Sequence, residues 1–397
     1  VDWTAMNYEQ LGSSSPRPGA YLDHAATTPM RAEAVAAMLP FLSAEFGNPS
    51  GVYATARRAR RALDDARDEM AAVLGCAPGE VVFTSGGTEA DNLAVLGVHS
   101  RVGGTVVTTA IEHHAVLNPA RRVGARLVKP TAQGIVGPDE LARALDETVT
   151  LVSVMAVNNE VGTVQPLAEL LDEVRRRAPR ALVHSDAVQA FAWCDVAGQL
   201  AGYDLVSVSA HKFGGPKGVG ALVVRGRASG ALTPLCVGGG QERSLRPGTE
   251  NVAGIVAMAT AARLAAAERE TACASTAARR GRFLDGLAAV APEMVESVPR
   301  SLAAPGHAHV RFPGVLAEEL LVLLDEAGVA ASAGSACSSG AIEPSHVLRA
   351  MGWKGPEARE AVRFTLGPAT TDDEIDYARG VVATAVASLA RQDAMGD

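Results

Sequence analysis

The stretch Ala181-Leu-Val-His-Ser-Asp-Ala-Val-Gln-Ala190 and, a little further on, Asp204-Leu-Val-Ser-Val-Ser-Ala-His-Lys-Phe-Gly-Gly-Pro-Lys-Gly-Val-Gly-Ala-Leu-Val-Val-Arg225 decide the fold. Three short runs in it, Ala181–Asp186, Asp204–Ser209 and Gly220–Arg225, are rich in Val and Leu and are bounded by Gly, Pro or polar residues. Runs of this length and composition read as buried β-strands. Upstream, Glu80–Thr84, Gly104–Thr109 and Thr150–Met155 have the same character, and amphipathic stretches of helix length alternate with them: Ala54–Leu74, Glu89–Val98 and Pro166–Arg177. That alternation predicts an α/β architecture, a mainly parallel sheet covered by helices on both faces. Functional residues of such sheets collect just past the carboxyl ends of the strands. Those places hold Ser85-Gly-Gly-Thr88, Glu112-His-His114, Asn158-Asn-Glu160, Asp186-Ala-Val-Gln189 and Ser209-Ala-His-Lys212.

Downstream, Gly238-Gly-Gly240 and Arg246–Asn251 lead into a long Ala-rich helix expected over about 252–284. Strands are expected near 308–312 and 329–333, with helices near 318–327 and 345–351. The organisation expected is an N-terminal arm (1–20), a large domain (21–255) and a smaller α+β C-terminal domain (256–397). The 397 residues, 48% apolar and 20% charged, suit two folded domains with a large core. A net charge of −8 disfavours nucleic acid and anionic membranes as partners, and no apolar run reaches the roughly 18 residues of a membrane span. The polar first residues lack a signal-peptide pattern, so a cytoplasmic location is expected. Cys76, Cys194, Cys236, Cys273 and Cys337 are far apart and form no CxxC pair, which points away from a disulfide framework and from a thiolate metal site. No metal is expected.

Lysine is scarce, four residues against 32 arginines, so Lys212 directly after an apolar strand stands out. A lysine amine forms a Schiff base with a carbonyl when its surroundings favour the neutral amine. A solvated loop lysine is the plainer reading, and Lys217 competes with it. Asp186 ends a strand of apolar neighbours, where a carboxylate can pair with a cation such as a protonated pyridine nitrogen; it also reads as a turn aspartate, or as a metal ligand with His184. Ser85–Thr88, between strand and helix, can hold a phosphate on helix N-terminal amides or can be an ordinary cap. Cys337, in Ser332-Ala-Gly-Ser-Ala-Cys-Ser-Ser-Gly340, is the cysteine set among small residues, whereas the other four read as buried and inert.

An ordered set of motifs extends this reading: YLDHAATTP (21–29), GNPS (47–50), FTSGGTEADNLA (83–94), EHHAVL (112–117), NNEVGTVQP (158–166), HSDAVQA (184–190), SAHKFGGPKGVGAL (209–222), GGGQERSLRPGTEN (238–251), SAGSACSSG (332–340) and VRFTLG (362–367). The chain from Tyr21 to about Ala390 resembles the pyridoxal-phosphate-dependent cysteine desulfurases, in the branch of the nitrogen-fixation and iron–sulfur-cluster enzymes. The resemblance implies the pyridoxal-phosphate fold type I, with a seven-stranded, mainly parallel sheet in the large domain. It implies that Lys212 carries the cofactor, Asp186 pairs with its ring nitrogen and His113 stacks on the ring. Asn159 and Gln189 would bond near the ring oxygen. Gly87, Thr88, Ser209 and His211 would hold the phosphate, joined by Thr249 from the second subunit of a homodimer. Arg363, a surface arginine on its own sequence context, would bind the substrate carboxylate beside Asn159, and Cys337 would take sulfur from L-cysteine as a persulfide for an acceptor protein. His113 is the third catalytic candidate beside Lys212 and Cys337, and a role for His114 is not implied. The route implied serves iron–sulfur clusters or thio-cofactor and tRNA biosynthesis. A C–S lyase or selenocysteine lyase would use the same cofactor, and a non-catalytic dimeric scaffold the same fold. Tyr53, Thr365 and Pro368 depart from the common pattern.

Overall fold

The computed structural model describes residues 19–334 and 344–393, with 391–393 described as backbone only. Most of the expected arm (1–20) therefore lies outside the described residues. The strands, in chain order, are β1 (Ala20–Tyr21), β2 (Val81–Thr84), β3 (Thr105–Thr109), β4 (Arg126–Val128), β5 (Val149–Ser153), β6 (Leu182–Asp186), β7 (Leu205–Ser209), β8 (Gly220–Val224), β9 (Val295–Glu296), β10 (His307–Arg311), β11 (Val329–Ala330) and β12 (Ala361–Thr365).

Seven of them form the central sheet, in the order β2-β8-β7-β6-β5-β3-β4. Successive side chains alternate between its faces. On one face Phe83, Val107, Val152, Val183, Val206 and Val223 share a core with the helices Ala54–Leu74 and Leu167–Arg177. On the other, Val82, Val106, Leu151, Leu182, Leu205 and Leu222 pack against Leu93, Val98, Val116 and Leu232. Both faces are covered, which is why these strands read as continuous apolar runs.

The sheet is parallel except at β8, which runs antiparallel to both β2 and β7. Only residues 210–219 separate β7 from β8, too short for the crossover that a parallel neighbour needs. The turn thus forced on the chain carries Lys212. The helix expected to begin at Glu89 begins at Gly87 and stays helical to Val102, so Gly87 and Thr88 lie in its first turn. The long helix spans Val252–Val290, capped by Asn251, whose side chain accepts from the Gly254 N–H at 3.0 Å. Its first half (Ile255–Ala265) belongs to the core beneath the sheet, and Phe283, Leu284 and Leu287 belong to a second core with Val310, Leu320, Phe364 and Val382.

That second core surrounds the small antiparallel sheet β12-β10-β9 and the β1–β11 pair. The segment after β1 stitches the two cores together. His24 N–H donates to Thr365 O, and Thr365 N–H donates to Leu22 O, while Thr28 N–H and Arg31 N–H donate to His211 O and Gly214 O. One expectation fails among the cysteines. Cys236 is exposed, and Cys76, Cys194 and Cys273 are half-buried, because Leu235–Val237 lies at the surface and not under a helix. No helix among the described residues is long and apolar enough to cross a membrane.

Candidate active site

The topology brings the polar strand ends to one edge. β2, β7 and β8 meet where Thr84, Gly220 and Ser209 lie level in register. Gly220 has no room for a side chain: a Cβ there would stand 2.7 Å from the Gly86 carbonyl carbon and from Val208 O. Gly86 itself adopts φ 154°, ψ −178°, a conformation open essentially to glycine. The outcome is a helix whose first amides, at Gly87 and Thr88, start beside Ser209. Such a terminus favours an anion. Thr88 is exposed and Ser209 is buried, and His211 Nδ1 lies 3.1 Å from Thr27 Oγ1. Glu89 ties the loop down, accepting from Ser85 N–H at 2.7 Å and from Arg246 Nε at 3.1 Å.

Lys212 sits on the β7–β8 turn, half-buried, with Nζ donating to Ala25 O at 2.5 Å and Ala26 O at 2.8 Å. Gln189 Nε2 donates to the same Ala25 carbonyl at 2.7 Å. Asp186, at the end of β6, is buried, and its Oδ1 accepts from Val188 N–H at 2.9 Å. Burial raises its carboxyl to about 6, and the Val188 bond and Lys212 oppose the rise. A buried carboxylate in this state gains most from a fixed cation. His184, two residues before it, lies 2.8 Å from Ser153 Oγ through Nδ1 and 3.0 Å from Ser207 Oγ through Nε2, so both ring nitrogens are engaged. No group of three or more metal-ligating side chains occurs among the described residues.

His113 caps the helix His114–Arg122, its Nδ1 accepting from Ala115 N–H at 3.1 Å. Burial first, then the charges of Lys212, His114 and His346, lower it to about 4. The ring is neutral at pH 7, and with Nδ1 accepting, its one proton is on Nε2. The same residue therefore starts the helix and faces Lys212 electrostatically.

Arg363, far from a surface residue, is buried on β12. Its Nη2 pairs with Asp23 Oδ1 at 2.7 Å, its Nη1 donates to Asn159 O at 2.8 Å, and its Nε is buried without a partner. Asn159 Oδ1 is likewise buried and unpartnered. A donor and an acceptor left open on two residues that touch through Nη1 suit a zwitterionic amino acid. Thr365, one of the departures, keeps a bond to the segment, accepting from Ala25 N–H at 2.9 Å. Pro368 lines a cavity of about 360 Å³ beside Lys212, with Gln189, Trp193, Phe213 and His307. Tyr53 and Thr249 are exposed, and Cys337 lies outside the described residues.

Three residues of this neighbourhood carried no assignment in the sequence. Glu112 is buried, accepts from Thr109 Oγ1 and Met155 N–H through one oxygen, and is raised to about 8 by burial. Asp91 is buried 3.6 Å from His184 Nε2 and close enough to Asp186 to feel its charge. Glu160 is buried against Ser345. Their charge in otherwise apolar or helix-start surroundings was the available signal.

The residues present fit pyridoxal phosphate. An amine on a constrained turn, a buried carboxylate awaiting a cation, a neutral imidazole and a glycine-lined helix start answer its aldehyde, ring nitrogen, ring face and phosphate.

Comparison with known proteins gives one direction. The aminotransferase class-V family matches residues 20–378. The chain is similar to the cysteine desulfurase IscS of Dictyoglomus turgidum, 40% identical over 377 residues that cover 93% of this chain and 95% of that protein. It is 42% identical to the IscS-like cysteine desulfurase of Mycobacterium tuberculosis, over 94% of this chain and 97% of that one. Among solved structures, a NifS-like protein superposes with a TM-score of 0.87 at 34% identity, covering 93% of this chain and all of its own.

Proposed function

The chain belongs to the aminotransferase class-V family, and from that premise we propose that it is a pyridoxal-phosphate-dependent cysteine desulfurase of fold type I that converts L-cysteine to L-alanine. The observation that carries the reading is the convergence of Lys212, Asp186 and His113 at one sheet edge, with Arg363 reaching the Asn158–Glu160 turn beside them from the smaller domain.

Bound there, pyridoxal phosphate supplies an electron sink for a carbanion at the substrate α-carbon. Lys212 would hold it through Nζ, and the same amine, when free, would take the substrate α-proton. Asp186 would pair with the ring nitrogen and favour its protonated form, which would relieve the burial cost of the carboxylate. Gly87, Thr88, Ser209 and His211 would hold the phosphate, and Gln189 and Asn159 would bond its ring oxygen. Arg363 binds the substrate carboxylate through donors that Asp23 and Asn159 keep in place. His113, with its proton on Nε2, would stack on the ring and could donate toward the reacting centre. The Cys337 thiolate attacks the substrate sulfur: an S–S bond forms, the Cβ–S bond breaks, and its electron pair stays on the three-carbon skeleton, which leaves as alanine after taking up protons. Cys337 is then a persulfide, the oxidation of its sulfur balanced by reduction of the substrate carbon.

The functional unit is a homodimer in which Thr249 of each protomer completes the other's phosphate site. Support comes from the exposure of Thr249 and of large apolar side chains such as Phe46 (73%), Val52 (87%) and Val237 (92%). The domain division at 255/256 falls within the long helix that joins the two cores. The sulfur acceptor is a protein of iron–sulfur cluster, thio-cofactor or tRNA biosynthesis, met in the cytoplasm. The test is the Cys337→Ala variant. It is expected to retain the lysine-bound chromophore and lose sulfur release from L-cysteine; release at the wild-type rate would refute the persulfide route.

A further inference from the structure

The turn Asn158–Glu160 is tied to more of the site than Asn159 alone. Asn158 holds it rigid: its Nδ2 donates to Ile111 O at 2.9 Å, and its Oδ1 accepts from Glu160 N–H and Val161 N–H at 2.9 and 3.0 Å. Glu160 follows, with its side chain only 2% exposed. One oxygen of that carboxylate accepts from Ser345 Oγ. Ser345 in turn caps the helix His346–Ala350, its Oγ accepting from Val347 N–H at 3.1 Å and Leu348 N–H at 3.2 Å. All three hydrogen-bonding positions of the hydroxyl are used, so its direction is fixed.

The same Glu160 oxygen also lies under Gly334. A Cβ at Gly334 would stand 3.1 Å from it, and Gly334 holds φ +82°. Gly334 N–H donates to Ser332 Oγ at 3.2 Å, and Ser332 exchanges backbone hydrogen bonds with Arg363. Arg363 returns to the turn through Asn159 O. Hydrogen bonds thus run from Gly334 through Ser332 and Arg363 to Asn159, and the Glu160 side chain next to Asn159 packs close to Gly334 and bonds Ser345. Gly334 and Ser345 flank the stretch of sequence that contains Cys337. Cys337 follows Gly334 by three residues in the sequence.

We propose that Glu160 is a positioning residue for sulfur transfer: its buried carboxylate bonds Ser345 and packs against Gly334, two described residues that flank the Cys337 stretch, and so ties both to the turn that Arg363 reaches. The proposal rests on the desulfurase reading. It separates two half-reactions. Exchange of the α-hydrogen of L-alanine with deuterium oxide needs Lys212 and Arg363 but not the Cys337 thiol; formation of the persulfide from L-cysteine needs all three.

In the holoenzyme, Glu160→Ala is expected to keep the alanine exchange rate within about threefold while slowing single-turnover persulfide formation about 100-fold, the scale for a reactant displaced by an ångström. Glu160→Gln, whose carbonyl oxygen still accepts from Ser345, is expected to recover most of that loss. Ser345→Ala approaches the same end from the other partner and leaves Glu160 in place. In the apoprotein, urea unfolding of the two alanine variants and their double is expected to be non-additive, since both remove one contact. Loss of exchange and persulfide formation in equal proportion would overturn the proposal in favour of a structural role, as would unchanged persulfide formation in Glu160→Ala or additive unfolding midpoints. Failure of the wild-type holoenzyme to form a persulfide at Cys337 would instead overturn the desulfurase reading itself.

Discussion

Replacing Asp186 by asparagine probes the buried carboxylate at the end of β6 without altering its size. Burial moves this carboxyl from 3.8 to about 6. An acid whose folded-state value lies above its unfolded one binds its proton more tightly in the folded chain. The stability it lends is therefore complete below the unfolded value and is lost as pH rises through the folded one. At 1.36 kcal/mol for each tenfold change, the charged form costs the apoprotein about 3 kcal/mol above about pH 6. The amide of the variant has no proton to lose. In urea unfolding of the two apoproteins across about pH 4 to 7, the wild type is expected to lose about 2 kcal/mol relative to Asp186→Asn, with most of the change below about pH 6. Glu112, raised to about 8 chiefly by burial, stays mostly protonated in both folded proteins across this range, and the Asp186 charge that adds to its rise is missing from the variant. Adding pyridoxal phosphate at pH 7 reverses the order, because a protonated ring nitrogen gives the wild-type carboxylate its counter-charge and finds only a neutral amide in the variant. A difference curve that stays flat across this range would refute the claim that burial of Asp186 outweighs its Val188 and Lys212 contacts.

Two other substitutions separate structural from chemical roles. His113→Ala removes a helix cap and is expected to lower stability by about 1 kcal/mol, whereas His113→Asn, which introduces a good capping side chain, is expected to restore the urea midpoint while desulfurase turnover stays depressed in both. Arg363→Lys cannot serve Asp23, Asn159 and a substrate carboxylate together; steady-state kinetics with L-cysteine are expected to show kcat/KM lower by about 100-fold, and an unchanged value would remove Arg363 from the site.

The strands were legible because burial on both faces leaves a dense apolar run, as in Leu205-Val-Ser-Val-Ser209. Lys212 and Asp186 were legible for the complementary reason: each breaks such a run where the strand ends. Strand direction is not written in that pattern, so β8 read like its parallel neighbours although the short 210–219 connection turns it around. β4, three residues at the sheet edge with Leu127 partly exposed, carries too little apolar pattern to stand out. Arg363 misled in the opposite sense. An arginine in a short apolar stretch reads as solvated, and only the pairing of β12 with β10 and the approach of Asp23 show that its charge is buried and compensated. Asp91 and Glu160 were hidden alike, since burial of a carboxylate depends on what packs against it from distant parts of the chain.

The joining of the two cores explains why those distant contacts fall at the site. Lys212 and Asp186 belong to the large sheet, and Arg363 belongs to β12, so their relative placement depends on whatever fixes one body against the other. Residues 20–31 cross that junction. Ala20 pairs with β11, Leu22 and His24 bond Thr365, Asp23 holds Arg363, the Ala25 and Ala26 carbonyls hold Lys212, and Thr28 and Arg31 bond the turn that bears it. Backbone groups make most of these links, so the motif YLDHAATTP acts chiefly through its main-chain path and less through its side chains. Gly367 completes the fit, because a Cβ there would stand 2.4 Å from the His24 ring. The distance between Lys212 and Arg363 is thus set by one short segment, which touches both through hydrogen bonds made mostly by its main chain.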